Sequence, residues 1–429
     1  MNFAQMQNLL NENLAPAAVS LVRRQSLAYT AYLENPSARY DAGGKYFRVP
    51  IHTSRGYAAQ FLNLETDTIP VEDEPTYTEF QVDVVDLASP FALTTRALYA
   101  SEAGDDVSFA SAARETFENA TESAKLRLDK AVLGTVRGVL GTVGAGGLLG
   151  GNDVDLTPAA LDYQSIGAWD LPVGLRVDFI NPANGAVRAG GANLPVTAHV
   201  NRNRITVQGV GGAAVVANDW IVQTGTYNQS MTGLRAIIDD GTNSPATFQN
   251  VDRTVTTITQ GYLDTNGGVV RPLTEDLLMD HVARQSMRSP GDLDFATTHT
   301  SIAAHLSKLL KDDRRFMPKM GGTLYPAGFG HFEFFTGSRE LQFLGFDFHP
   351  ARTIYFQSKA NIFRLDLVPF RIADEDGSGF RRTGRTDPLW GYFKWIGNMG
   401  TNAPNSHSEL GALDIDPDMG GGVNFLTSW

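Results

Sequence analysis

The chain contains no cysteine, which excludes disulfides, a thiolate nucleophile and Cys-ligated zinc or iron–sulfur centres. Lysine is scarce, 8 residues against 27 arginines, and the formal charge is −12. A chain this acidic does not draw its affinity from phosphate contacts, which need a basic surface. No apolar run approaches the ~18 residues of a membrane helix. Residues 1–14 are polar, with Asn and Gln where a signal peptide has its apolar segment, so synthesis in the cytoplasm is expected.

Local signatures of catalysis are also missing. There is no G-x-S-x-G elbow, no H-E-x-x-H pair and no phosphate-binding G-x-x-x-x-G-K-[ST]; Gly44-Lys45 is followed by Tyr46. The glycine-rich stretch 141–151 has Leu149 where a dinucleotide loop needs its third glycine. It also follows a helical pattern, where such a loop follows a strand, so it reads as a flexible linker. The eight histidines are scattered. Asp374-Glu375-Asp376-Gly377 lacks the alternation and closing Glu of a calcium loop. No catalytic, cofactor or metal site is expected, and no enzymatic role.

What remains is a globular composition: 429 residues, 42% hydrophobic and 19% charged, with 43 glycines that call for many turns. The length suggests about three domains. Residues 17–32 have helical spacing and end near Asn35-Pro36, but form too short a segment for a core of their own. After Gly43-Gly44, residues 45–51 and 77–85 alternate apolar with polar and read as the arms of a long two-stranded hairpin. Between Glu65 and Asp86 there are eight acids (Glu65, Asp67, Glu72, Asp73, Glu74, Glu79, Asp83, Asp86) and no Lys or Arg.

Residues 107–140 carry Phe109, Ala112, Ala113, Phe117, Ala120, Ala124, Leu128, Ala131 and Val132 at steps of three and four. The spacing predicts a helix of roughly 45–50 Å, with acids toward its start and bases toward its end. Short runs at 175–180, 196–199, 205–210 and 220–224, punctuated by Asn-Gly and Gly-Gly turns, predict a small β sandwich or barrel. Farther on, helices are expected at 274–288, with Thr274 as N-cap, and at 301–311, and a short one at 233–240. Strands are expected at 343–348, 353–356, 362–367 and 389–396. The mixture is an α+β domain with a sheet.

The order of these parts resembles the major capsid proteins of tailed bacteriophages with the Hong Kong 97-type fold. Three phrases are similar to one capsid family: Gly267-Gly268-Val269-Val270-Arg271-Pro272-Leu273-Thr274 before a helix, Asp313-Arg314-Arg315-Phe316 after the next, and Trp390-Gly391-Tyr392-Phe393 near the end. The resemblance implies an N-terminal arm (1–42), an extended-loop or E-loop hairpin (43–100), a spine helix with part of the peripheral (P) domain (101–164), a β-rich insertion (165–230), and an axial (A) domain with the remaining P strands (231–429). It implies self-assembly into hexamers and pentamers of an icosahedral shell around double-stranded DNA, in a virion assembled in the host cytoplasm. Portal, scaffolding and decoration proteins are the other expected partners, with weak, non-specific DNA contact, no membrane and no cofactor. Glu65, Asp67, Glu72, Asp73 and Glu74 are expected to face Arg314, Arg315, Arg381, Arg382 or Arg385 of a neighbouring subunit. Lys45, the only lysine before Lys125, stands at the hairpin's base, so no covalent cross-link is expected. Three other readings are an encapsulin-like nanocompartment shell, a β-rich surface binding protein, and a hydrolase with a dispersed site.

Overall fold

The computed structural model describes residues 31–32, 39–40, 46–54, 76–93, 106–157, 167–212, 214–241, 247–288, 293–309, 332–336, 339–374, 381–382 and 389–414. The helix expected over 17–32 and the acidic loop over 64–75 therefore lie outside the described residues, apart from 31–32. Strand β1 (Arg39–Tyr40) pairs antiparallel with β2 (Tyr46–Ser54), and β2 pairs antiparallel with β3 (Thr76–Asp83). The alternation has its expected cause: Phe47, Val49, Ile51, Phe80 and Val82 are buried, whereas Arg48, Pro50 and Glu79 face out. The second arm stops at Asp83, and β4 (Val85–Leu93) leaves the ribbon for another sheet.

Helix α1 (Asp106–Leu133) is about 42 Å long, and it ends before the expected residue 140. Gly134 and Gly138, the latter at φ 68°, turn the chain out of the helix. The glycine-rich stretch read as a flexible linker is instead a strand, β5 (Val139–Leu148). Its glycines permit close approach: a Cβ on Gly144 would stand 2.8 Å from the Leu156 carbonyl, and one on Gly146 2.8 Å from Asp155 Oδ2. The neighbour that demands this is β6 (Asp153–Leu156).

These two strands close a barrel with β7 (Arg176–Ile180), β8 (Leu194–Asn201), β9 (Arg204–Val207) and β10 (Trp220–Gln223), in the order β10-β5-β6-β9-β8-β7. The barrel thus takes its first two strands from upstream of residue 165. Val143, Val154, Leu156, Val177, Phe179, Val196, Ile205, Val207 and Ile221 fill its interior.

The chain continues through α2 (Leu234–Ile238), the paired β11 (Thr247–Phe248) and β12 (Val251–Asp252), β13 (Tyr262–Asp264), α3 (Glu275–Arg288), β14 (Phe295–His299) and α4 (Thr300–Leu309). Thr274 caps α3 as expected, its Oγ1 accepting the Leu277 N–H at 3.2 Å. Then follow β15 (Phe332–Thr336), β16 (Arg339–Phe346), β17 (Ile354–Gln357), β18 (Ile362–Ile372), β19 (Arg381–Arg382), β20 (Leu389–Thr401) and β21 (Ser408–Leu410). Two sheets result. One is six-stranded and mixed, ordered β13-β21-β17-β14-β16-β15; the other joins β18, β20 and β19, with β4 also paired to β20.

The molecule is α+β, with few helices and many strands. Its largest core lies where α1 crosses the β4–β20–β18 sheet. Phe117, Ala120, Ala124 and Leu128 form the helix's buried stripe, at steps of three and four. Phe117 packs between Phe91 at 4.7 Å and Phe393 at 5.8 Å, centroid to centroid, and Phe370 stacks on Phe393 at 5.2 Å. Burying each such ring contributes about 1.5–3 kcal/mol. Ser89 Oγ donates to the Ala120 carbonyl at 2.7 Å and pins β4 to the helix.

Candidate functional site

Three features have functional potential: the ribbon's base, a buried polar network in the six-stranded sheet, and the grooves beside β4. The base of the β2–β3 ribbon does not stand free. Phe80 meets Phe248 edge-on at 5.8 Å, and the Gln81 N–H donates to the Gln249 carbonyl at 2.9 Å. Asn398, buried on β20, ties three segments together. Its Nδ2 donates to the Asp83 carbonyl at 2.6 Å, where the ribbon ends, and its Oδ1 accepts the Thr232 N–H at 2.8 Å, where the chain leaves the barrel. The same Oδ1 accepts the Met399 N–H at 2.8 Å, so the side chain is saturated on its acceptor side. Nothing in the local sequence marks Asn398; its signal is positional, an amide in a strand otherwise rich in aromatics.

On the outer face of the ribbon, Arg48 and Glu79 pair at 3.4 Å, both about half exposed. Such a pair contributes at most about 1 kcal/mol. Of the eight acids between residues 65 and 86, Glu79, Asp83 and Asp86 are described, and all three are exposed. Glu65, Asp67, Glu72, Asp73 and Glu74 lie outside the described residues, as do Arg314, Arg315 and Arg385. Arg381 and Arg382 form β19, opposite Trp390 and Leu389 of β20. The structure therefore does not bring the acidic and basic candidates together within the described residues.

The six-stranded sheet contains a constellation that the sequence did not signal. His281 Nε2 lies 2.9 Å from Ser408 Oγ, and its Nδ1 lies 3.8 Å from Asp264 Oδ2. Arg271 holds the same carboxylate at 2.7 Å. These are the residue types of a nucleophilic triad, on β21, α3 and β13. Ser408, however, is fully buried at the start of β21, paired with Tyr262 on one side and Phe356 on the other. Its side chain is closed off from solvent between these strands, so its oxygen presents no open face to an acyl group. Burial pushes His281 below its ordinary range, and the neighbouring His281 and Arg271 hold Asp264 well below the usual carboxylate range. The arrangement ties three elements together instead of presenting a nucleophile.

Two more buried histidines belong to the same sheet. His349 Nδ1 donates to the Pro350 carbonyl at 3.0 Å, and His407 Nδ1 accepts the Ser358 N–H at 3.3 Å. Burial holds both down at about 3, so they stay neutral. Gln357 links this region to the N-terminal segment. It donates to Thr297 Oγ1 at 2.9 Å and accepts from the Tyr32 hydroxyl at 2.5 Å, while the Tyr32 ring stands edge-on to Phe295. Desolvation raises the Tyr32 hydroxyl above its ordinary value, so it keeps the proton that it donates to Gln357.

A groove of about 630 Å³ lies at the β3–β4 junction, its lining mixing apolar, acidic and amide side chains, the last including Gln81, Gln249, Asn250 and Asn398. A second, about 310 Å³, runs between β4, α1 and the barrel past Arg127, Lys130 and Asp170. Lys130 Nζ pairs with Asp170 at 3.1 Å, and Arg127 donates to Thr226 Oγ1 at 3.2 Å. Among the described residues, no group of three or more His, Asp or Glu side chains is arranged to hold a metal ion, and no helix is long and apolar enough to cross a membrane.

No family model matches the sequence, and no curated protein matches it. Comparison with solved structures finds similar chains in viral and virus-like particles. A chain in the capsid asymmetric unit of cyanophage A-1(L) is similar at 9% identity and TM-score 0.49, over 91% of this chain and 92% of that one. A chain in the capsid of a native GTA particle is similar at 11% identity and TM-score 0.44, over 90% and 89%. A chain of Gordonia phage Cozz is similar at 11% identity and TM-score 0.42, over 91% and 87%.

Proposed function

We propose that the chain is a major capsid protein of the Hong Kong 97 type, building the icosahedral head shell of a tailed phage from hexamers and pentamers around double-stranded DNA. The observation that carries the reading is the order of parts along the chain. A one-sided ribbon leads into β4. A 28-residue helix lies along the sheet that β4 forms with β20 and β18, and a separate six-stranded sheet with two helices follows. This order supports the succession of E-loop, spine helix, P-domain strands and A domain that the sequence resemblance implies. The closed barrel sits between helix and sheet as an insertion that enlarges the outer surface. No catalytic role is assigned to any residue.

In this reading the subunits pair with one another first, and portal, scaffolding and decoration proteins are further partners. The virion is the protein's final location, after assembly in the host cytoplasm. The net charge of −12 suits a shell that must release its genome, because each Lys or Arg contact to phosphate adds affinity. The acids Glu65, Asp67, Glu72, Asp73 and Glu74 meet arginines of a neighbour, drawn from Arg314, Arg315, Arg381, Arg382 and Arg385. Single exposed pairs are weak, so only the cluster matters.

Electron microscopy of the purified chain after gel filtration tests the reading. Closed shells or ring-shaped capsomers are expected. A monomer that forms no particle, even with the other virion proteins supplied, overturns it. Particles that carry protein cargo and exclude the genome would instead identify a nanocompartment. Reversing charge at Glu72, Asp73 and Glu74 together is expected to lower particle yield; an unchanged yield removes the acidic strip from the assembly contacts.

A further inference from the structure

Helix α3 buries one face through Leu278, His281, Val282 and Gln285. Its other face is open to solvent and is not uniformly polar. Met279, Ala283 and Met287 form an apolar row at i, i+4 and i+8, with Met279 41% and Met287 88% exposed. A monomer gains nothing by showing two methionines in line. Beside this row runs a ridge of four exposed charges at i, i+4, i+8 and i+12: Asp276, Asp280, Arg284 and Arg288. The ridge reads minus, minus, plus, plus. It is antisymmetric about its midpoint, so a copy of itself laid antiparallel faces every charge with its opposite.

We infer that this face of α3 docks on α3 of a second copy of the chain, the two helices antiparallel about a local twofold axis. A twofold contact requires a self-complementary patch. With the axis near residue 282, Asp276 faces the copy's Arg288 and Asp280 faces its Arg284. The apolar row has its own centre at Ala283, one residue away and therefore about 1.5 Å along the helix. That offset is within the reach of long arginine side chains. It sets Met279 against the copy's Met287, and Ala283, whose small side chain allows close approach, against itself. Tyr262 steadies the basic end: Arg284 bonds its hydroxyl, and the Arg288 guanidinium lies 5.4 Å from its ring centroid. A 14-residue helix is about 21 Å long. Contact along it buries less than the ~1,200 Å² of a stable free-standing interface, so on its own it is a weak contact that a disulfide can trap. The inference goes beyond the shell reading and does not depend on it.

The absence of cysteine makes the test clean. Ala283→Cys in the full chain places a single thiol on the twofold axis, and Val255→Cys, at a site 78% exposed on another element, is the control. Oxidation with copper phenanthroline is expected to give a disulfide dimer from A283C in several-fold higher yield than from V255C. Equal yields, or none from A283C, overturn the inference. Two charge variants in the A283C background give a second arm. The all-basic D276R/D280R chain and the all-acidic R284E/R288E chain should each lose the dimer alone and recover it when mixed. Neighbouring charges within one helix cannot produce that recovery, and its absence counts against the twofold. Particles without the A283C cross-link would sink this contact and leave the shell reading standing; the cross-link without particles would do the reverse.

Discussion

The barrel and the six-stranded sheet are both β structures with buried interiors, and they fill those interiors with different chemistry. Inside the barrel are aliphatic side chains around Phe179. Its buried carboxylates each meet donors directly. Asp219 is gripped by the Arg188 guanidinium at 2.6 Å, and Asp178 accepts the Asn193 N–H at 2.7 Å. The six-stranded sheet instead buries His281, His349, His407, Gln357, Thr297, Ser408 and Glu409 among its aromatics. An aliphatic interior draws its stability from area removed from water and tolerates many arrangements of similar volume. A polar interior is stable only in the arrangement that satisfies its donors and acceptors, and it responds to protons.

Cutting into the barrel's interior should give the largest effect. Phe179→Ala is expected to cost about 3–5 kcal/mol. In denaturant melts the loss should be nearly the same at pH 7 and pH 5, because no histidine is buried in that interior. Acid should separate the two regions in the opposite sense. His349 and His407 remain neutral in the native sheet down to about pH 3, whereas the unfolded chain protonates its histidines near 6.5. Their stabilising contribution is therefore complete above ~6.5 and falls with pH below it, by about 1.4 kcal/mol per pH unit for each histidine. Hydrogen exchange between pH 6.5 and 5 should show β14, β17 and β21 losing protection before β7 and β10. Simultaneous loss would break the comparison.

Asn398 lies outside the six-stranded sheet, where the barrel's exit and the ribbon's end meet the β4–β20–β18 sheet. Asn398→Ala leaves the Asp83 carbonyl and the Thr232 N–H without their partner, at an expected cost of about 1–3 kcal/mol. Calorimetry should show the transitions of the barrel and of the β4–β20–β18 sheet drawing apart as their tie is cut; a single sharp transition with unchanged midpoint would refute the role. Glu409 should give the smallest effect. Burial, with Asp239 and Asp240 nearby, raises its carboxyl above the ordinary value near 4.5. In the window between that value and the raised one, the native state holds a proton that the unfolded chain has released, so stability falls as pH rises through it. Glu409→Gln removes the effect and should give a slight gain at pH 7 that disappears by pH 4, read from the same melts.

The contrast also explains what the sequence disclosed. Ribbon and helix are each solvated on one side, so residues 46–51, 76–83 and 117–132 carry clear periods of two and 3.6. The strands Phe295–His299 and Ser408–Leu410 are buried while polar, and they show no apolar alternation to find. Their justification lies in partners far along the chain, such as His281 for Ser408 and Gln357 for Thr297. Val139–Leu148 failed for a related reason. Glycine signals freedom unless its neighbour is known, and here the neighbours are Asp155 and Leu156. The candidate assembly residues were legible as a run of acids and a scatter of arginines, but a contact between copies leaves no trace in the spacing of one chain.

The pairing of β4 with β20 joins residues about 300 positions apart, Leu93 opposite Leu389 and Val85 opposite Gly397. The sheet that supports α1 therefore cannot close until almost the whole chain has left the ribosome. At ~5–20 residues per second, that leaves the apolar stripe of α1 and the ring of Phe91 uncovered for about 15–60 s during synthesis, while the barrel between them has every strand it needs. Pairings of such high contact order are also slow to form once the chain is complete. The barrel should be the first part to acquire native structure and the sheet beneath α1 the last, which makes the nascent chain a customer for holding chaperones through that interval.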